Sequence, residues 1–168
     1  MHRRTALVGL SAPIIGARAV PRTLSLRAEP EHFNAKTLEA AADSVVLRAS
    51  MRIRSFAGTD RWPTAAYTGV HQGPDRNESV QVLVIRNRAS DGFLVLGWRL
   101  VVGGKEVHVQ SVENVPLDAW VQVSLTFASG LANVRVNGSA PTQIATPFRR
   151  VSPYVSVSSG EAEFKIDA

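Results

Sequence analysis

The fold is decided by residues 120–138, which read WVQVSLTFASGLANVRVNG. Val121, Val123 and Leu125 alternate with polar residues, and only an extended strand sends alternate side chains to opposite faces. The small residues at 128–130 form a turn signal, and the returning apolar stretch ends at Asn137-Gly138, a pair that favours tight turns. The stretch therefore predicts a half-buried antiparallel hairpin.

The same period of two governs much of the chain. In residues 44–56, Val45, Leu47 and Met51 belong to one face, whereas Arg48 and Arg52 belong to the other. Further strands are predicted at 65–71, 79–87, 93–102, 105–112, 132–136, 154–157 and 162–166, with Gly103-Gly104 and Ser158-Ser159-Gly160 as turns. Only residues 36–43 have a helical composition and are predicted as a short helix or a linker. Eight to ten short strands with turns between them indicate an all-β sandwich or barrel.

The stretch that opens at Trp120 also resembles a signature of concanavalin A-like, laminin-G-like jelly-roll domains. In those domains a tryptophan opens a strand, hydrophobic alternation follows, and the returning strand ends as Val136-Asn137-Gly138 does here. Residues 163–167 resemble the final strand of the same domains. The resemblance implies a two-sheet antiparallel sandwich with one concave sheet, and its members bind glycans, cleave polysaccharides or serve in adhesion.

Residues 1–19 differ from the rest of the chain. Arg3-Arg4 precedes an apolar stretch, and Ala17-Arg18-Ala19 has the small-x-small form of a cleavage site. This order is typical of a secretory signal peptide, with a buried N-terminal helix as the alternative that Pro13 disfavours. We expect a signal peptide at 1–19, an N-terminal strand with the linker or helix at 20–44, and the jelly-roll sandwich at 45–168. The protein is then secreted or periplasmic.

The amino-acid composition excludes several kinds of functional site and partner. The chain has no cysteine, which excludes disulfides, thiolate metal sites and cysteine nucleophiles. Of its 19 Lys and Arg, three lie in residues 1–19, and the remaining 16 against 14 Asp and Glu leave a net charge of only +2. Nucleic acid is therefore not an expected partner. No later apolar run is long enough to predict a membrane span.

No catalytic residue is predicted. The Glu-x-Asp-x-x-Glu string of laminarinase-like hydrolases does not occur, and Asp75 and Glu78 would face opposite sides of a strand. A lyase would need a neutralising Arg or Gln and a Tyr or His base, for which Tyr67 and His71 share a strand face. Arginine and glutamine candidates for that role are Gln81, Arg86 and Arg99. The scattered histidines predict no metal site, no cofactor is expected, and a structural calcium ion is left open.

A ligand surface is the remaining candidate. Aromatic faces stack on sugar rings, and arginine forks bind carboxylate or sulfate. The predicted ligand-binding residues are Arg48, Arg52, Arg54, Trp62, Tyr67, His71, Trp98 and His108. The opposing interpretation makes the arginines a solvated outer face and places Trp98 in the core. The sequence thus favours a non-catalytic, lectin-like module for a glycan, and the arginines would suit an acidic one. A polysaccharide-active hydrolase or lyase and a structural or adhesive envelope protein are the alternatives.

Overall fold

A computed structural model describes residues 21–167, and the predicted signal peptide lies outside them. Ten antiparallel strands form the described part of the chain. Their bounds are β1 (Arg22–Thr37), β2 (Ser44–Phe56), β3 (Ala65–Gln72), β4 (Glu78–Ile85), β5 (Phe93–Val102), β6 (Lys105–Pro116), β7 (Val121–Ala128), β8 (Leu131–Val136), β9 (Thr142–Ala145) and β10 (Ser152–Asp167). A helix able to cross a membrane does not occur within residues 21–167.

Strand β10 is shared by two layers. Its first half, 152–158, pairs with β3, and its second half, 160–167, pairs with β2. Sheet I therefore has the order β6-β5-β4-β3-β10, and sheet II has the order β10-β2-β7-β8-β9. Strand β1 follows β10 along both halves, with a register shift between Ala28 and Phe33. The arrangement is the two-sheet antiparallel sandwich that the sequence predicts.

The core lies between the inner faces of the two sheets. Sheet II contributes alternate residues such as Leu47 and Val123, and sheet I contributes Val82 and Leu96, all of them at most 3% exposed. The alternation predicted for residues 44–56 and 120–127 is thereby confirmed. An extended strand that packs one face against the core buries every second side chain.

The predicted turn at Ser158-Ser159-Gly160 is wrong. These residues lie inside the continuous strand β10, where Ser159 has a φ of 45° and the pairing with β2 shifts its register between Glu161 and Ala162. Thr64 Oγ1 donates a hydrogen bond to the Ser159 carbonyl at 2.5 Å. A bulge here re-aims the strand from one sheet to the other without ending it.

Two further local predictions have different outcomes. The turn at Gly103-Gly104 is confirmed, because both glycines have positive φ (59° and 74°) and join β5 to β6 in a hairpin. The helix predicted as one alternative for residues 36–43 does not occur, because Lys36 and Thr37 end β1 and residues 38–43 form the linker to β2.

Strand β6 forms an edge of sheet I. Its pairing with β5 shifts register twice, which leaves Val112 and Val107 as extra residues without a partner on β5. Both are bulge residues, and their side chains are 41% and 57% exposed. The edge is therefore kinked at two points rather than straight.

Candidate functional site

The outer face of sheet I carries a row of polar and aromatic side chains that face away from the core. Pairing aligns Tyr154, Gly69, Gln81 and Arg99 in one row across β10, β3, β4 and β5. Their neighbours along each strand, such as Val155 and Val82, point into the core. The row is therefore a consequence of the same alternation that builds the sandwich.

Three adjoining cavities of about 310, 400 and 250 Å³ mark this face as a depression. We call it the groove and define it by Phe33, Trp62, Tyr67, Arg76, Gln81 and Arg99. It crosses from the loop before β3 to the edge strand β6, where Val109 lines it. Arg99 lines all three cavities and so lies at their junction.

Arg99 is held in place from three sides. Its Nε donates to Gln81 Oε1 at 2.6 Å, and its Nη1 forms an ion pair with Glu106. Its guanidinium also lies 5.2 Å from the centre of the Tyr67 ring, which is within cation–π range. A guanidinium that is fixed in this way presents its remaining N–H groups in a constant direction, which suits recognition of a planar anion.

A short loop displays Trp62 at one end of the groove. Thr59 Oγ1 accepts a hydrogen bond from the Trp62 backbone N at 3.1 Å, and Thr64 Oγ1 accepts one from Gly58 N at 2.9 Å. A side chain at Gly58 would collide with the Thr64 backbone, so this close turn requires glycine. The Trp62 side chain is 43% exposed, although its loop is tied down.

Phe33 extends the aromatic end from the opposite side. It belongs to β1, packs edge-on against Tyr67 with ring centres 6.0 Å apart, and is 43% exposed. The Arg76 guanidinium lies 4.6 Å from the Phe33 ring centre. Three aromatic rings thus line one continuous wall with the guanidinium groups of Arg76 and Arg99.

The floor beneath this wall contains two buried hydroxyls. Tyr154 and Ser156 are almost fully buried on the groove side of β10, and neither hydroxyl has a hydrogen-bond partner within residues 21–167. Burial raises the pKa of Tyr154, so its phenol stays protonated. Both hydroxyls lie beneath the groove, and neither residue lines one of the three cavities.

His71 lies beside the floor and is fully engaged. Its Nδ1 lies 2.7 Å from the Gly73 carbonyl and therefore carries the proton, which leaves Nε2 to accept from Thr37 Oγ1 at 3.2 Å. The ring packs edge-on against Tyr154, with centres 5.2 Å apart. Burial is the main cause that lowers the pKa of His71 below its ordinary value of 6.5.

We expect this histidine to make stability depend on pH. The unfolded chain binds a proton near pH 6.5, whereas folded His71 resists it, so the free energy of unfolding falls as pH drops below about 6.5. The His71→Gln variant should show a shallower fall in this range, as measured by urea denaturation at closely spaced pH values. An equal slope in both proteins would contradict the assignment.

The three predicted arginines of β2 lie on the other side of the molecule, on the outer face of sheet II. Arg52 Nη2 donates to Glu163 Oε2 at 2.8 Å, and Arg54 lies within 3.5 Å of the same carboxylate. Trp120 stacks between Arg52 and Lys165, with its ring centre 4.6 and 4.3 Å from their charged groups. The hydrogen bond from Arg52 is the main cause that lowers the pKa of Glu163. Arg52 and Arg54 are therefore paired groups, while Arg48 lies farther along the strand.

Trp98 and His108 do not join the groove. Trp98 is 4% exposed and belongs to the core, as the opposing interpretation of the sequence had it. His108 stacks on the indole with ring centres 4.8 Å apart and an angle of 9°. Of the residues predicted as ligand contacts, the structure brings Trp62 and Tyr67 together in the groove and places His71 beside its floor.

Several groove residues were not predicted from the sequence. Phe33 and Arg76 belong to a segment without clear periodicity and to a turn, and nothing local indicates that either reaches Tyr67. Tyr154 and Ser156 carried a usable signal, because they alternate with Val155 and Val157 in the last strand. Within the described residues no cluster of three metal-ligating side chains occurs.

Comparisons with known proteins agree on the fold. No family model and no curated protein sequence matches the chain. Among solved structures it is similar to the carbohydrate-binding module CBM66 from Bacillus subtilis, at 10% identity and a TM-score of 0.57 over 90% of this chain and 97% of that one. It is also similar to the carbohydrate recognition domain of Emp46p, at 11% identity and a TM-score of 0.54 over 88% and 87% of the two chains.

A third similar structure is an enzyme, the alginate lyase AlyA1 from Zobellia galactanivorans, at 14% identity and a TM-score of 0.51. The match covers 80% of this chain and spans 62% of the lyase chain. Two binding domains and one lyase thus share one architecture, which leaves the choice between binding and cleavage to the site itself. Residues 21–167 have the antiparallel jelly-roll β-sandwich fold of these structures.

Proposed function

We propose that the chain is an exported carbohydrate-binding module whose groove holds an acidic polysaccharide without cleaving it. The observation that carries the proposal is the position of Arg99, at the junction of the three cavities and between Gln81 and Tyr67. An oriented guanidinium beside exposed aromatic rings matches a ligand that has both a carboxylate and an apolar ring face.

The charge and length of the groove favour an acidic chain over a single neutral sugar. Its lining includes the arginines Arg61, Arg76 and Arg99, against the carboxylates of Asp75 and Glu106. From β3 to β6 it crosses three strand spacings of about 4.8 Å, or roughly 14 Å. That span exceeds one sugar ring, so we expect an oligosaccharide stretch to occupy it.

The contacts of the acidic and basic groups argue against catalysis. Asp75 accepts a hydrogen bond from the Asn77 side chain at 2.6 Å, and Glu106 pairs with Arg99. His71 is 7% exposed and uses both ring nitrogens. A general acid or base needs to reach its substrate proton, and these groups are either engaged or covered. The export in the proposal rests on the predicted signal peptide at 1–19.

The test is titration of the protein with a polyuronate and, separately, with a neutral glucan, followed by calorimetry. We expect saturable binding of the polyuronate that weakens about tenfold or more in Trp62→Ala, since buried aromatic contacts commonly contribute at least ~1–2 kcal/mol. Phe93→Ala is the matched control, because Phe93 is exposed to a similar extent, 41%, and lines none of the three cavities. Equal affinities of Trp62→Ala and Phe93→Ala would exclude the groove as the site.

A lyase is the second candidate, and one specific observation favours it. The hydrogen-bonded Arg99 and Gln81 could neutralise a uronate carboxylate, and the Tyr67 phenol faces the same groove. β-Elimination would then need Tyr67 as the proton-transferring group. Prolonged incubation with polyuronates, with ultraviolet detection of unsaturated ends, tests this role. Products that form with the native chain but not with Tyr67→Phe would replace the binding proposal with the enzymatic one.

A further inference from the structure

A second cavity, of about 310 Å³, lies on the outer face of sheet II and therefore on the opposite side of the sandwich from the groove. We call it the β2–β8 pocket; its polar lining residues are Arg48, Ser50, Gln122, Ser124, Arg135 and Asp167. Its volume lies at the lower end of the range of ligand sites, about 300–1,000 Å³.

The pairing of the strands explains why these residues meet. Asp167, Arg48, Ser124 and Arg135 occupy one row across β10, β2, β7 and β8. Arg48 and Arg135 stand two strand spacings apart, which is roughly 10 Å, with Ser124 between them. Both side chains are long enough to converge above the Ser124 hydroxyl, so the row forms two cationic walls around a neutral floor.

The electrostatic state of these two arginines differs from that of their neighbours. Arg52 and Arg54 on the same face are paired with Glu163 and Asp118. In the described part of the chain, by contrast, neither Arg48 nor Arg135 takes part in an ion pair or a side-chain hydrogen bond. Two like charges beside one cavity repel each other, and an anion between them would remove that repulsion.

The geometry points to the β2–β8 pocket as a binding site for a single oxyanion group, a sulfate or a carboxylate. Arg48 and Arg135 would bind its oxygens through their guanidinium forks, and the Ser50 and Ser124 hydroxyls and the Gln122 amide would supply neutral donors. Asp167 stands beside Arg48 and weakens the attraction for an anion, so we expect modest affinity. This inference does not depend on the proposed function of the groove.

The experiment is a titration of the protein with sodium sulfate and with sodium acetate at constant ionic strength, followed by amide NMR shifts. Constant ionic strength is needed because added salt screens exposed charges. We expect saturable shifts centred on Ser50, Gln122, Ser124 and Arg135. Arg48→Gln and Arg135→Gln should each weaken binding about tenfold, which corresponds to ~1.4 kcal/mol. Arg149→Gln is the control, since Arg149 is exposed and outside the pocket, and it should bind as the native chain does.

A variant that removes a negative charge from the pocket gives an independent readout. Asp167→Asn should tighten sulfate binding, because it removes the negative charge nearest to Arg48. Shifts that rise linearly without saturation, or that are the same in Arg48→Gln, Arg135→Gln and the native chain, would overturn the inference. So would weaker sulfate binding in Asp167→Asn, since a carboxylate that only repels the anion cannot support its binding.

Dextran sulfate distinguishes a free ion from one carried on a polymer. If the affinity for dextran sulfate falls in Arg48→Gln and is unchanged in Trp62→Ala, the β2–β8 pocket binds sulfate groups carried on a polymer. If inorganic sulfate needs Arg48 while dextran sulfate binding does not, the pocket serves a free ion. Both results keep the oxyanion site and assign its source.

Discussion

Replacement of Phe164 by alanine is expected to lower the free energy of unfolding by about 3–5 kcal/mol, the range for removal of a fully buried phenylalanine. Phe164 is 0% exposed and lies on β10 between Leu24 of β1 and Met51 of β2. The loss combines the transfer of the ring to water with the cavity that the rigid strands around it cannot close.

Urea denaturation followed by tryptophan fluorescence measures this change, and Phe93→Ala serves as the control. Phe93 is 41% exposed at the start of β5, so its removal should change stability by less than about 1 kcal/mol. If Phe164→Ala were no less stable than Phe93→Ala, the packing of sheet II around β10 would have to differ from the structure.

Replacement of Arg99 by glutamine is expected to weaken binding of an acidic polysaccharide by roughly tenfold to a hundredfold. Hydrogen bonds to a charged group contribute about 1.5–3 kcal/mol, and loss of Arg99 also leaves the Glu106 carboxylate facing the ligand without its partner. Arg99→Lys should retain part of the affinity, because lysine keeps the charge but lacks the planar fork.

Calorimetry with a polyuronate and with a neutral glucan separates charge recognition from general damage. The effect should be confined to the acidic ligand, and the urea midpoints of both variants should stay close to that of the native chain, since Arg99 lies outside the core. A polyuronate affinity that is unchanged in Arg99→Gln would remove this residue from the site and with it the acidic part of the proposal.

Alternation in the sequence was enough to predict β2 and β7, because each of these strands buries every second side chain. The predicted ranges 44–56 and 93–102 coincide with β2 and β5. The same reasoning could not foresee that β10 runs through Ser158-Ser159-Gly160. A left-handed residue beside a glycine is a feature of both turns and bulges, and only the partner strands decide between them.

The candidate site was predictable only in part, for a related reason. Periodicity states which face of its own strand a residue occupies, but not which sheet that strand joins. Arg48 and Tyr67 were therefore grouped together, although they lie on opposite outer faces of the sandwich. Trp62 and Tyr67 meet in the groove because the loop at 57–64 precedes β3 directly, whereas Phe33 arrives through the pairing of β1 with β10, a contact between distant parts of the chain.

The two bulges of β6 bear on how this protein behaves at high concentration. A straight edge with exposed valines would offer its free backbone groups to a neighbouring molecule, as growing amyloid fibrils do. Val107 and Val112 interrupt the ladder at two places, so only short stretches of β6 could pair with an incoming strand. The groove can thus extend to the edge strand β6 without turning that strand into a site for intermolecular β-sheet pairing.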